Sequence, residues 1–296
     1  MDDVMTPEAE QAETSAQTSQ QAFAFVQKVA ADLSADQDLE LPGFPDVVIK
    51  LQKALGDEHG SLKEVSRIIN SEPALAARLM QLANSAAFRQ TTDPVGELRT
   101  AVTMLGLNVV RATATNFAMQ QMQQQEWLAP LHPELQQIWK SSNKVAATAY
   151  TVAKNMEAMQ PDKAMLAGLF HQLGRLYLMT VAHRDDTGLI NDPAWDSIVA
   201  DWHPTVTKAI LDSWGLPDDV TYATESQDAV SEGQTDNLDR LSLVVSASKY
   251  YAEHDGGEDM VSAEELLGEV NFSGTSFNEI VTTHRDDIQQ MISAIS

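Results

Sequence analysis

Apolar residues along this 296-residue chain recur every three or four positions in one segment after another, and no segment alternates apolar and polar residues convincingly over a strand's length. Stripes of that kind are buried only when helices pack their apolar faces together. The pattern therefore predicts an all-α fold with no significant β-sheet. Aromatic residues make up 6% of the chain while Ala, Leu, Met and Gln are plentiful, a mixture that favours helices over strands. A hydrophobic content of 43% is enough for a sizeable core.

Breaks between the stripes divide the chain. Residues 1–20 are polar and read as a disordered tail. A short helix follows, with Phe23, Phe25, Val26 and Val29 on its apolar face, and Asp32 to Asp38 break it. Leu41-Pro42-Gly43-Phe44-Pro45 is stiff and irregular, because each Pro holds its predecessor extended. A helix from Asp46 carries Val48, Leu51 and Leu55, and Gly56 and Gly60 close it. Ser61 and Glu64 form a capping box ahead of Leu62, Val65, Ile68 and Ile69. Pro73 opens the next helix, lined by Leu75, Leu79 and Leu82. Leu98, Val102 and Leu105 mark another, interrupted at Gly106, and a further one spans about Asn108 to Trp127. Pro130 and Pro133 then separate an N-terminal helical lobe (21–129) from a C-terminal one (130–296). Helices in the second lobe are expected near 134–157, 162–181, 193–200, 203–213, 217–229, 237–254, 262–270 and 276–295.

Charge removes several classes of function. With 19 basic and 43 acidic residues the net charge is −24, and no basic run is present. The summed field repels polyanions, which argues against binding nucleic acid or an anionic membrane. A basic protein partner stays open, as does acidity that serves solubility alone. The absence of cysteine excludes disulfides, thiolate metal sites and thiol nucleophiles. The sequence shows neither a signal peptide nor an apolar run of membrane-spanning length, so a cytoplasmic protein is expected.

Five blocks, in this order, resemble the HDOD family. They are Leu41-Pro42-x-x-Pro45; Glu72-Pro73-Ala74-Leu75-x-x-Arg78-Leu79 with Leu82-Ala83-Asn84-Ser85; Ala101-x-x-Met104-Leu105-Gly106-Leu107; Gly168-Leu169-Phe170-His171-Gln172-Leu173-Gly174-Arg175; and His203-Pro204 with Trp214-Gly215-Leu216-Pro217. The resemblance covers roughly residues 38–290. It implies an N-terminal helical lobe packed on a pseudo-HD helical lobe, in a degenerate relative of the HD and HD-GYP metal-dependent phosphohydrolases. It further implies a bacterial signalling or regulatory module with no established common chemistry. Pro42, Pro45, Pro73, Arg78, Asn84, Ser85, Gly106, Gly174 and Trp214 are then motif residues with structural roles.

An HD hydrolase holds its metal with a His, an adjacent His-Asp pair and a later Asp. Hard divalent ions need anionic or imidazole ligands, and an open coordination position then yields hydroxide from water. By that resemblance the first His falls on Ser141, the pair is His171-Gln172, and the last Asp falls on Ser248. Three of the four ligands are lost, so neither catalysis, a metal nor any other cofactor is expected. The remaining degenerate pocket is Ser141, His171, Gln172, His203 and Ser248. His171 reads either as lining a small-ligand pocket or as a satisfied buried group holding helices together. His203 before Pro204 suits helix initiation or packing as well as ligand binding. Arg78 and Arg175 read as anion contacts or as partners of nearby carboxylates.

Three readings follow. The leading one is a binding module that engages a protein partner in a signalling circuit. The second is a hydrolase with a rearranged site built from His171, His203 and carboxylates such as Asp201 or Glu225. The third is a sensor that binds a nucleotide or second messenger without cleaving it. No P-loop, G-x-G-x-x-G or H-E-x-x-H is present, and the two S-x-x-K matches, at Ser141 and Ser246, lack the partner motifs of an acyltransferase.

Overall fold

The computed structural model describes residues 7–35, 39, 41–57, 61–89, 93–255, 260–272 and 274–296, with backbone alone for 7–19 and 260–262. Helices account for most of it. The first half contains α1 (Pro7–Ser34), α2 (Asp46–Gly56), α3 (Leu62–Asn70), α4 (Pro73–Ala83), α5 (Leu98–Leu105) and α6 (Leu107–Met122). A 3-10 turn (Glu126–Leu131) leads to α7 (His132–Lys154), α8 (Pro161–Phe170), α9 (Leu173–Arg184), α10 (Trp195–Ser213), α11 (Asp218–Glu225) and α12 (Arg240–His254). The chain continues as α13 (Met260–Glu269), α14 (Phe277–Thr283) and α15 (Arg285–Ile295). The one sheet among the described residues is a two-stranded antiparallel hairpin, β1 (Asn271–Phe272) with β2 (Thr275–Ser276). The all-α fold is as expected.

Local chemistry sets many of the helix ends. Ser61 Oγ accepts from the Glu64 N–H at 3.2 Å, the cap read from the sequence. Asp239 caps α12 by accepting from the Ser242 N–H at 2.9 Å. Gly106 parts α5 from α6 at φ +78°, a conformation that a Cβ would strain.

In the N-terminal lobe α2 packs on α3 and α6, and α4 packs on α5 and α6. In the C-terminal lobe α7 is the axle, touching α8, α12 and α15, while α10 lies across α9 and α11. The lobes meet where α6 crosses α8 and at Trp214, whose ring lies 6.1 Å from Phe44 and 5.9 Å from Phe170. Beside it Arg111 is only 3% exposed, and its Nη1 donates to Trp214 O at 3.3 Å and to Gln52 Oε1 at 3.4 Å. Burial lowers its pKa to about 10.

Several boundaries differ from the sequence reading. Residues 7–20, expected as a tail, are the start of α1, whose Ala, Gln and Glu are good helix formers; residues 1–6 lie outside the described residues. α1 holds to Ser34, and 36–38 of the expected break also lie outside. So does Gly60. Residues 21–34, grouped by sequence with the N-terminal lobe, pack on the C-terminal one: Phe25 faces Trp195 at 6.1 Å, and Tyr177 Oη donates to Asp32 at 3.0 Å. Phe23, expected on the buried face, is 63% exposed.

The expected helix 108–127 ends at Met122 and gives way to the 3-10 turn. The expected helix 162–181 breaks at His171-Gln172 into α8 and α9, and 276–295 breaks at His284 into α14 and α15. The expected pair 193–200 and 203–213 is one helix running through Pro204. There the burial of Val199, Val206 and Ile210 along one face outweighs the hydrogen bond that proline cannot donate.

Candidate functional site

The break between α8 and α9 is where the degenerate pocket is built. His171 caps the C-terminus of α8 and Gln172 precedes α9. His171 is fully buried, and its Nδ1 lies 2.7 Å from the Gly168 carbonyl, one of the acceptors a helix end leaves unpaired. A carbonyl can only accept, so Nδ1 carries the proton and Nε2 offers its lone pair. The Gln172 amide takes that lone pair, with Nε2 to Nε2 at 3.1 Å, and the same amide nitrogen donates to Ser141 Oγ on α7 at 3.3 Å. Three of the expected residues are thereby linked. The amide thereby occupies the one imidazole nitrogen of His171 that could otherwise serve as a ligand.

His203 enters from α10. Its carbonyl accepts from Thr207 Oγ1 at 2.8 Å, and that hydroxyl accepts from the Gly174 N–H at 2.9 Å. A Cβ added at Gly174 would lie 2.0 Å from His203 O, so only glycine allows α9 to approach α10 this closely. His203 Nδ1 is buried without a hydrogen-bond partner. Ser248 on α12 is fully buried, and its hydroxyl also has none.

The sequence reading missed a largely buried charge on α12. Lys249, next to Ser248, has a side chain only 11% exposed and pairs with Asp228 and, at 3.7 Å, with Glu253. Its charge acts on both imidazoles. Burial first, then Lys249, holds His171 down to about 3, and the same two causes hold His203 down to about 4. Both rings are neutral at physiological pH. The signal that could have found Lys249 was a lysine within the apolar run of α12, beside Ser248.

The remaining motif residues support the frame. Pro45 precedes α2 and Pro73 opens α4. Asn84 ties the end of α4 to the segment before α5, donating to Met80 O at 2.9 Å and Val95 O at 3.1 Å and accepting from the Val95 N–H at 2.7 Å. Ser85 Oγ has no partner. Pro42 is half-buried beside the buried Leu41. Arg78 and Arg175 form no ion pair among the described residues; Arg78 Nη2 is buried unpartnered, and Arg175 is exposed.

The HD fold implies a divalent metal, and these residues do not fit one. Gln172 and Ser141 are neutral, and Asp201 and Glu225 are exposed. Among the described residues no three His, Asp or Glu side chains form a group that could hold a metal. Nor is any helix there long and apolar enough to cross a membrane.

Fold and pocket together define an all-helical protein of HD-like architecture. The chain belongs to the HDOD family: the HDOD domain matches residues 41–230. The fold is shared with solved structures at low identity. A candidate metal-dependent phosphohydrolase from Shewanella amazonensis superposes at TM-score 0.69 with 22% identity, over 95% of this chain and all of that one. An HDOD domain protein of unknown function from Geobacter sulfurreducens gives 0.55 and 18%, over 95% of this chain and 98% of that one. An uncharacterized protein of Treponema pallidum is 24% identical over 207 residues, 65% of this chain but 38% of that relative's length.

Proposed function

We propose that the chain is a non-catalytic regulatory module of a bacterial signalling circuit and acts by binding a protein partner. One observation carries the reading: the Gln172 amide bridges His171 Nε2 and Ser141 Oγ, so the surviving histidine is engaged inside the fold. One available imidazole at most cannot hold a catalytic metal, which takes about three protein ligands. Membership of the HDOD family supports a regulatory role. A protein partner is preferred to a nucleotide because the net charge of −24 and the absence of a basic cluster disfavour phosphates.

The test is metal content measured on the purified protein together with a phosphodiesterase panel that includes cyclic dinucleotides. Sub-stoichiometric metal and no turnover support the reading. Stoichiometric Mn, Fe or Mg with activity lost in His171→Ala rejects it. A thermal-shift screen against nucleotides separates partner binding from sensing, since a bound ligand raises the melting temperature.

A further inference from the structure

A second buried polar joint lies where α6 of the N-terminal lobe meets α7 and α15 of the C-terminal one. Asn116 of α6 is 3% exposed and Asn143 of α7 is 1% exposed. Asn116 Nδ2 donates to Asn143 Oδ1 and to the Ile295 carbonyl at the end of α15, both at 2.8 Å. One turn further along α6, Gln120 Nε2 donates to the Ser296 carbonyl at 2.7 Å. A carboxamide has two N–H donors, so Asn116 has spent both. Its Oδ1 and the Nδ2 of Asn143 are shut off from solvent and have no partner among the described residues. Turning either amide over does not relieve this. Asn116 would then set its oxygen against the Ile295 carbonyl, and Asn143 would set two NH2 groups face to face.

We propose that this joint is a buried binding site for a single water molecule, which donates to Asn116 Oδ1 and accepts from Asn143 Nδ2. The two free groups sit on amides that already touch, within reach of one small molecule. They make opposite demands: the oxygen needs a donor and the NH2 group needs an acceptor. A metal cation would suit the first and be repelled by the second, and an anion the reverse. Water meets both demands, and the enclosure of both atoms excludes a larger molecule. Occupation is favoured because two desolvated polar groups without partners cost more than holding one water still. Once filled, the site closes a network of Asn116, Asn143, the water and the Ile295 carbonyl. That network joins the two lobes, which makes the water a structural ligand of their interface.

The experiment is a crystal structure of the full wild-type chain at a resolution that shows ordered water, paired with NMR on the isotope-labelled protein. The NMR arm reads nuclear Overhauser transfer from water to the side-chain amides of asparagine. The expected result is an ordered water within about 3.2 Å of both Asn116 Oδ1 and Asn143 Nδ2. A cross-peak from long-lived water to the Asn143 NH2 protons should accompany it and vanish in Asn143→Asp, which keeps the oxygen that Asn116 Nδ2 reaches. If that variant does not fold, through-bond assignment of the wild type identifies the same protons. Density that shows the two amides bonded directly to each other, a water that touches only one of them, or an ion in its place overturns the proposal. So does a missing cross-peak at Asn143.

Discussion

The carbonyl of Trp214, at the C-terminal end of α10, accepts a hydrogen bond from Arg111 of α6, 103 residues earlier in the chain. A guanidinium this deeply buried has no carboxylate partner among the described residues. The negative end of a 19-residue helix partly compensates for that. The same carbonyl faces Gly56 at the end of α2, where an added Cβ would lie 2.2 Å from it. The first prediction is therefore that Gly56→Ala destabilises the protein by about 1–3 kcal/mol through overpacking at the lobe junction. Denaturant unfolding measures the loss; a change below about 0.5 kcal/mol would show that the lobes slide freely here.

Gly174 tests the second close approach, that of α9 to α10. Gly174→Ala should cost more than Thr207→Val, because the methyl group collides with His203 O while the valine only removes the hydroxyl that Gly174 N–H reaches at 2.9 Å. Expected losses are about 2–3 kcal/mol for the former and about 1 kcal/mol for the latter. The reverse order in melting experiments would refute the packing argument.

Acid should destabilise the fold before its carboxylates begin to protonate. His171 and His203 titrate near 3 and near 4 when folded, against about 6.5 when unfolded. Below pH 6.5 the unfolded chain therefore binds more protons, and stability falls with pH until the folded values are reached. Each histidine contributes a slope of up to about 1.4 kcal/mol per pH unit in that window. Urea unfolding at pH 7, 6 and 5 checks this, and His171→Gln should flatten the slope by roughly half. An unchanged slope in that variant would mean that His171 is not held neutral.

α1 is expected to act as a strap over the C-terminal lobe. Tyr177→Phe removes the hydrogen bond to Asp32 and should cost about 0.5–1.5 kcal/mol. Deleting residues 1–34 should lower the melting temperature and raise the fluorescence of a dye that binds apolar surface, because Phe25 and Val29 no longer cover Trp195 and its neighbours. A truncated chain with the full melting temperature and no dye binding would contradict this placement.

Much of the helix map was legible because a 3.6-residue stripe and its caps are local signals. Ser61 with Glu64, Pro73 and Gly106 mark their boundaries by chemistry acting within a few residues. Pro204 misled for the same reason: its helix is held by burial against distant elements, which no local signal records. Within the pocket, the neutral amide of Gln172 and hydroxyl of Ser248 could be read directly from the residues. The bond from Gln172 to His171 and Ser141 spans 31 positions and needed the fold.

By itself the sequence determined that this chain must be helical, acidic and without thiols, and that positions 141, 172 and 248 carry hydroxyls and an amide. Periodicity, composition and residue identity are properties of the chain before it folds. Only the tertiary structure decided that α1 lies on the far lobe, that Arg111 meets Trp214, and that His171 and His203 are buried as neutral imidazoles. Burial, and the desolvation that sets those charge states, arises when distant segments exclude water together, and spacing along the chain does not encode it.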